Sequence, residues 1–326
     1  MDPSLLIGVR CVNRRRAVGY LGFKNARFGK IDAHIATCAY AREAIQQASA
    51  IAESRGFQVI HGIVDSVWLR KEKSSEEEYH DLCHEIETKL DLPISFEGIY
   101  KWIVFLNSRI NPRVPVLNRY YGVMQDGKMK VRGIDLRRHD TADIVRDCQK
   151  EILALLSSAS NSLELRELMP KAVDVARKYI HLIRTGQVPK EKLTLDKRLS
   201  KSLEEYRNLS HQAIAARQLH DAGRYVHAGQ SIRFITTSGE AMIKDNRAVP
   251  YELFEETMGY DTETYVNLLI TAFVNLFLPL GYDTITAKEV LSCVPQDSTS
   301  SVPDNKHSLG TRLSTGGDQR MSHGKE

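Results

Sequence analysis

The chain has 326 residues, 42% hydrophobic and 26% charged, which supports one sizeable core or two smaller ones and excludes a chain disordered throughout. Its 45 Lys and Arg against 41 Asp and Glu leave a net charge of only +4, so nucleic-acid binding has to be argued from local groups such as Arg137-Arg138 and Lys197-Arg198. The longest apolar stretch, around Leu268 to Leu280, is broken by Thr271, Asn275 and Pro279, the N-terminus lacks the order of a signal peptide, and the cysteines at 11, 38, 83, 148 and 293 form no CxxC pair, which together argue for a reducing, cytoplasmic setting.

Residues 1 to 18 carry the triple arginine Arg14-Arg15-Arg16 and give no clear element. From Ile31 to Ser54, Ala-rich turns with Glu43 and Gln46-Gln47 on the polar side predict a helix that Gly56 ends. QVIHGIVDSVWLR, at 58 to 70, sets two apolar runs around a short polar turn and predicts a β-hairpin with Asp65 near its tip. Spacing alone leaves Asp65 either a turn residue satisfying nearby N–H groups or half of a metal site. Ser75 with Glu78 forms a capping box for a helix to Leu90, on which His80 and His84 at i and i+4 fit either a metal or a solvated face.

Ile94 to Leu106 reads as a strand, and Val114 to Gly122 with Lys128 to Ile134 form a second hairpin about Gln125-Asp126-Gly127. Asp140 or Thr141 is expected to cap a helix to about Leu156, and SSASNS at 157 to 162 is expected to be a joint. Helical patterns follow at 163 to 184, 198 to 208 and 211 to 222, then a strand at 230 to 236 and a helix at 261 to 280. Past Pro295 the chain is Ser, Thr, Gly, Asp and Lys, a composition that predicts a disordered tail over 295 to 326.

Several segments together resemble the family B DNA polymerases. HGIVDS is similar to their YGDTDS hairpin, and in the family's order come GYLGFKNARFGKIDAH at 19 to 34, SFEGIYKWIVFL at 95 to 106, NRYYG at 118 to 122 and KMKVRGIDLRRHDT at 128 to 141. VPKEKLTLDKRLSKSLEEY at 188 to 206 and HQAIAARQL at 211 to 219 resemble the family's thumb. The resemblance runs from about Gly19 to Tyr282, and its wording is that of a divergent archaeal branch with eroded catalytic motifs.

The resemblance implies an α+β palm sheet with covering helices, followed by a mainly helical thumb subdomain. It places an atypical remnant of the fingers at 1–18, the C-terminal part of the palm at 19–156, the thumb at 157–294 and the tail at 295–326. Registering Gly19 on the glycine of the fingers motif puts Cys11 where the family has the lysine that faces the nucleotide triphosphate, Arg15-Arg16 at Asn-Ser and Val18 at the tyrosine. The arginines stand either as an electrostatic substitute or as a solvated basic tail.

By the same resemblance Asp65 is the catalytic metal ligand, Ile63 stands in the other aspartate's place and Glu97 is an acidic residue near the metal. Tyr20, Lys24, Asn25 and Arg27 line the template side. Asn118, Arg119 and Tyr120 hold the primer end, Leu117 and Asn118 having replaced two lysines. Lys197, Arg198, Ser200, Lys201, Tyr206 and His211 track backbone phosphates. Nucleotide addition in the family uses two Mg2+ between carboxylates, one of them from a DxxSLYP motif, and this chain has no such motif. The expected partners are therefore primer–template DNA, dNTP and a separate polymerase N-terminal chain that completes the Mg2+ site. The alternative expectation is a catalytically inactive paralogue that serves as a DNA-binding or scaffolding subunit.

Overall fold

Ala-rich turns with few β-branched residues carry the first long helix, α1 (Ile31–Ser54), and a chain reversal at Gly56, whose φ is +79°, sends the backbone into strand β2 (Gln58–Ile63) along the same helix. The computed structural model describes residues 5–11, 19–63, 66–108, 110–111, 113–207, 210–237 and 247–292, with the backbone alone for 5–11 and Leu117. Strand β3 (Ser66–Lys71) returns against β2. Helix α2 (Glu76–Leu90) opens with the Ser75 hydroxyl accepting the Glu78 N–H at 3.4 Å, half of the expected capping box. Strand β4 (Ile94–Asn107) follows.

A strand not expected from the residues before Gly19, β1 (Leu5–Cys11), enters between β3 and β4 and pairs antiparallel with both. With β5 (Pro115–Met124) and β6 (Met129–Arg132), the sheet runs β2-β3-β1-β4-β5-β6, antiparallel throughout. Its first four strands and two helices make a β-α-β-β-α-β unit, with β3 inserted between β1 and β2.

One face of this unit is covered. Val67, Leu69 and Ile99 from the strands meet Ala48 and Ala52 of α1 and Tyr79, Leu82 and Ile86 of α2 in a buried cluster. The alternation of a strand then puts Trp68 and Tyr100 on the opposite face, where they cluster with Tyr120 and Met124. Irregular register between Tyr100 and Trp102 shifts the alternation, so Trp102, Val104 and Leu106 join a larger core.

That core is built by the second half of the chain. Helix α3 (Asp143–Leu156) has Ala142 rather than Asp140 or Thr141 at its N-cap, because both carboxylate oxygens of Asp140 accept from the Arg138 guanidinium at 2.8 and 2.7 Å. The helical pattern expected over 163 to 184 divides into α4 (Ser162–Glu167), capped by the Asn161 side chain, and α5 (Met169–Arg184), where Pro170 in the first turn fits a helix start. Helix α6 (Lys190–Leu193) leads into strand β7 (Leu195–Arg198).

The helix expected over 198 to 208 is not formed. Lys197 and Arg198 belong to β7, which pairs with β8 (Ser231–Thr236), and only the single turn Leu203–Glu205 is helical. Pairing with β8 takes Arg198, the first residue of that pattern, away from a helix. Helix α7 (His211–Asp221) precedes β8, and β9 (Ala248–Pro250) completes the three-stranded sheet β7-β8-β9.

Helix α8 (Thr262–Phe277) then crosses the core, and α9 (Thr284–Ser292) follows it. Thr262–Leu280 is the one segment among the described residues long and apolar enough to cross a membrane. Its Tyr265, Leu269, Phe273, Leu276 and Phe277 are buried against the other helices, so that apolarity fills the core. Trp102 Nε1 donates to Ala159 O at 3.0 Å and Tyr121 Oη to Leu276 O at 3.2 Å, tying β4 and β5 to the helices behind them. The described residues form one compact unit, and the expected tail at 295–326 lies outside them.

Candidate nucleic-acid interface

Asp65 lies outside the described residues, but the strand ends that bracket it are defined: Ile63 closes β2 opposite Ser66, the first residue of β3. Register places Arg10, near the end of β1, opposite Ser66 and Cys11 opposite Ile94. The strand beside the Asp65 hairpin therefore ends in Arg-Cys and brings no carboxylate to this end of the sheet.

The opposite face of the sheet carries a buried aromatic cluster. His61, 5% exposed, packs its ring 4.6 Å from Trp68 and 5.0 Å from Phe105, and Trp68 and Phe105 lie 5.6 and 5.9 Å from Tyr120. Burial pushes the Tyr100 hydroxyl well above its usual range, and the neighbouring Tyr120 and Glu97 add to the shift. Glu97 forms a partly buried ion pair with Lys130 of β6. Among the described residues no group of three His, Cys, Asp or Glu side chains could hold a metal ion, so those residues do not by themselves fit a two-magnesium site. His80 stacks 4.4 Å from Phe96 and pairs with Glu76 at 3.8 Å, while His84 is exposed.

The residues expected at the primer end separate. Asn118 is exposed on β5. Arg119 turns back onto the protein, Nε donating to Gly133 O at 3.0 Å and Nη1 to Asn107 O at 2.8 Å, which braces β5 against the ends of β4 and β6. Tyr120 is buried in the aromatic cluster. Tyr20 sits on a short helical turn at 19–21, and Lys24, Asn25 and Arg27 stand on the exposed loop before α1, with the Arg27 guanidinium 5.5 Å from the Phe28 ring centroid.

The last group gathers around β7. Lys197 pairs in register with Ile232 and Arg198 with Ser231, and Arg198 and Lys201 are exposed. Ser200 N–H donates to Tyr206 Oη at 3.1 Å and its hydroxyl lies 3.2 Å from the same oxygen, closing the turn that carries Lys201. His211 opens α7 half-buried, its ring 6.3 Å from Phe234. Burial lowers its pKa, and the positive charges of Arg247 and Lys197 lower it further. Lys197 also lowers the pKa of Asp140, behind the Arg138 hydrogen bonds that dominate there. One lysine is thus close to both the loop after β6 and the start of α7. Arg247 was missed from the sequence, where it stands alone and signals nothing.

Cations elsewhere divide between ion-paired ones, such as Lys71 with Glu78, Lys128 with Asp126, Lys178 with Glu151, Lys192 with Asp147 and Arg233 with Glu252 at 2.6 to 3.3 Å, and ones such as Lys24, Arg217 and Arg224 with no salt bridge among the described residues. Among the described residues Lys197, Arg198 and Lys201 have no carboxylate within salt-bridge distance. A cation left unpaired on a strand edge and its following turn is available to an anionic chain.

An antiparallel six-stranded sheet backed by helices is thus accompanied by a smaller sheet whose edge strand carries cations with no salt bridge among the described residues. The model of DNA polymerase family B matches residues 19–280, and the chain belongs to that family. It is 28% identical over 242 residues to a DNA polymerase of Archaeoglobus fulgidus, covering 74% of this chain and 29% of that one. To DNA polymerase 2 of Aeropyrum pernix it is 27% identical over 249 residues, 76% of this chain and 28% of that one. The structure of the family B DNA polymerase from Pyrobaculum calidifontis superposes with a TM-score of 0.57 at 23% identity, over 82% of this chain and 32% of that chain, a likeness of fold. The chain thus spans about a third or less of the length of the relatives it matches. Its α+β sheet with covering helices, followed by a mainly helical part, is the palm-and-thumb architecture expected.

Proposed function

We propose that the chain is the palm-and-thumb portion of a family B DNA polymerase, palm over 19–156 and thumb over 157–294, that grips primer–template DNA in the cytoplasm and depends on another chain for nucleotidyl transfer. The observation that carries this reading is that Lys197, Arg198 and Lys201, which have no salt bridge among the described residues, gather on one edge strand and the turn after it. Phosphates meeting these groups displace only counterions, whereas a paired lysine must first give up its carboxylate. Ser200, Tyr206 and His211 shape the same surface. Tyr20, Lys24, Asn25 and Arg27 form a second contact on the template side, and Asn118 offers a hydrogen bond at the primer end. Arg119 and Tyr120 act behind it, holding β5 in place.

Asp65 contributes one carboxylate, and the other has to come from a separate polypeptide carrying DxxSLYP. Both edges of β3 are hydrogen-bonded, so such a polypeptide reaches Asp65 from beyond the strand ends and not by adding a strand. Mg2+ and dNTP are then ligands of the joint site. Mixing the chain with the DxxSLYP polypeptide of the same genome is expected to give magnesium-dependent primer extension that disappears in Asp65→Ala. Extension that survives that substitution unchanged overturns the role of Asp65.

A second reading, an inactive paralogue that binds DNA or scaffolds other proteins, is favoured by Arg10 at the register position opposite Ser66 and by Ile63 in an aspartate's place. It predicts salt-sensitive primer–template binding and no extension with any partner. Loss of salt-sensitive binding would count against both readings.

A further inference from the structure

The segment that joins α7 to β8 carries side chains that the grip described above leaves unused. Gly223, at φ +77°, stops α7, and the Arg224 N–H returns to Leu219 O at 2.8 Å. Val226 packs on the core, while Arg224, Tyr225 and His227 around it are exposed. The far end is tied to the edge strand: Gly229 N–H donates to Leu199 O at 2.7 Å, Leu199 N–H to Gln230 O at 2.9 Å, and His227 N–H to Gln230 Oε1 at 2.9 Å. Leu199 directly follows Arg198, so this segment is held beside the cations of β7. At full stretch the chain from Gly229 back to Tyr225 spans at most about 14 Å. A strand gripped at Arg198 therefore has Tyr225 within reach.

Tyr225 is 65% exposed, and an exposed aromatic is by itself ordinary. Its surroundings set this one apart. His220, in the last turn of α7, holds its ring perpendicular to the tyrosine, centroids 4.7 Å apart at 89°. That contact orients the ring and occupies at most one of its two faces. Arg217 on α7 and Arg224 beside the ring are exposed and have no salt bridge among the described residues. Two carboxylates gather on the His220 side: Asp221 lies 3.7 Å from its Nδ1, and His220 is among the groups that hold the Glu204 carboxyl below its usual range, after the N–H of Glu204 itself and the Ser202 hydroxyl. They repel phosphate from that side and leave the open ring face as what the site offers.

We infer that Tyr225 is a stacking platform for an unpaired base of the nucleic-acid strand held along β7. This rests on the reading of Lys197, Arg198 and Lys201 as a grip on phosphates. Inside a duplex each base has both faces covered by its neighbours, so a free aromatic ring gains a partner only where the strand is single. Stacking accepts any base, because each has a π-face, and Arg224 supplies a cation for the adjoining phosphate. The ligand is thus a single-stranded extension of primer–template DNA.

The test titrates the full chain against two labelled probes, a blunt duplex and the same duplex with a single-stranded extension that carries a fluorescent base analogue, for wild type, Tyr225→Ala and Tyr225→Trp. Wild type is expected to bind the extended probe more tightly than the blunt one and to quench the analogue. Tyr225→Ala should weaken binding of the extended probe by about fivefold to a hundredfold and abolish the quenching, while Tyr225→Trp keeps both. Equal weakening of the two probes by Tyr225→Ala, no weakening, quenching that survives the substitution, or failure of Tyr225→Trp to retain binding overturns the platform. The two readings fail separately. Equal affinity of wild type for both probes overturns the platform and leaves the grip standing; tight, quenched binding of the extension with no affinity for the blunt duplex defeats the grip alone; binding of neither probe defeats both.

Discussion

The end of the six-stranded sheet and the outer side of β7 treat charge in opposite ways. At the sheet end Glu97 is locked to Lys130, Ile63 and Arg10 flank the first residue of β3, and the floor is His61, Trp68, Phe105 and Tyr120. Around β7 the cations Lys197, Arg198 and Lys201 have no carboxylate within salt-bridge distance among the described residues, on a strand and turn that buried groups hold in place. The region around β7 thus gathers three cations with no salt bridge among the described residues, while the sheet end buries aromatic rings beside one ion pair.

The sharpest way to break this contrast is to collapse the support of β7. Tyr265, fully buried, donates to Leu193 O at 2.6 Å just before β7 and accepts the Thr236 N–H of β8 at 3.2 Å, and burial raises its pKa to about 12. Tyr265→Phe leaves both backbone groups unsatisfied and is expected to cost about 2 to 4 kcal/mol in urea unfolding, at about 1 to 3 for each buried group left alone, less what water recovers. Next comes the surface itself: Lys197→Glu/Arg198→Glu should lower primer–template affinity by about tenfold to a hundredfold at low salt and flatten log K against log salt by about 2 units of slope. Unchanged slope would mean that DNA, if bound, lies elsewhere.

A smaller effect is a pH dependence. His211 has its folded pKa lowered by burial, so the unfolded chain binds its proton more readily. The sign follows: its contribution to stability is complete above the ordinary histidine pKa, near 6.5, and is lost as pH falls below it. The unfolding midpoint should therefore drop between pH 7.5 and 5.5, and His211→Asn should remove part of that drop. The smallest change is expected at the other region, where Glu97→Gln should cost only about 0.5 to 1 kcal/mol and leave the partner-dependent extension test to decide whether this carboxylate has any further role.

Much of the first half of the fold was legible because local signals agreed. The 58–70 hairpin, the 31–54 helix and the Asp126-Gly127 turn each joined an apolar period to turn or cap chemistry, and each formed within a residue or two of its expected bounds. Strand β1 was not legible, because its short apolar run sits before three arginines and its only partners are some sixty to ninety residues away. Residues 198 to 208 misled for the opposite reason, a clean helical pattern whose first residue, Arg198, is paired with Ser231 of β8 and which yields only the turn Leu203–Glu205. In the candidate site, residue types could be read but commitments could not: nothing local in NRYYG says that Arg119 is spent on two carbonyls or that Tyr120 faces a tryptophan. The family range of 19 to 282 read from the motifs agrees with the match over 19–280.

The placement of β1 also sets an order of events during synthesis. Strand β1 has its register partners at Ser66 to Lys71 and Ile94 to Tyr100, so its β3 side can pair first and its β4 side only later. Until β4 is made β1 offers its other edge to any extended segment nearby, and at about 5 to 20 residues per second the roughly thirty residues from Lys71 to Tyr100 take a few seconds. Growth of the nascent chain past β4 is the moment at which that edge of β1 closes.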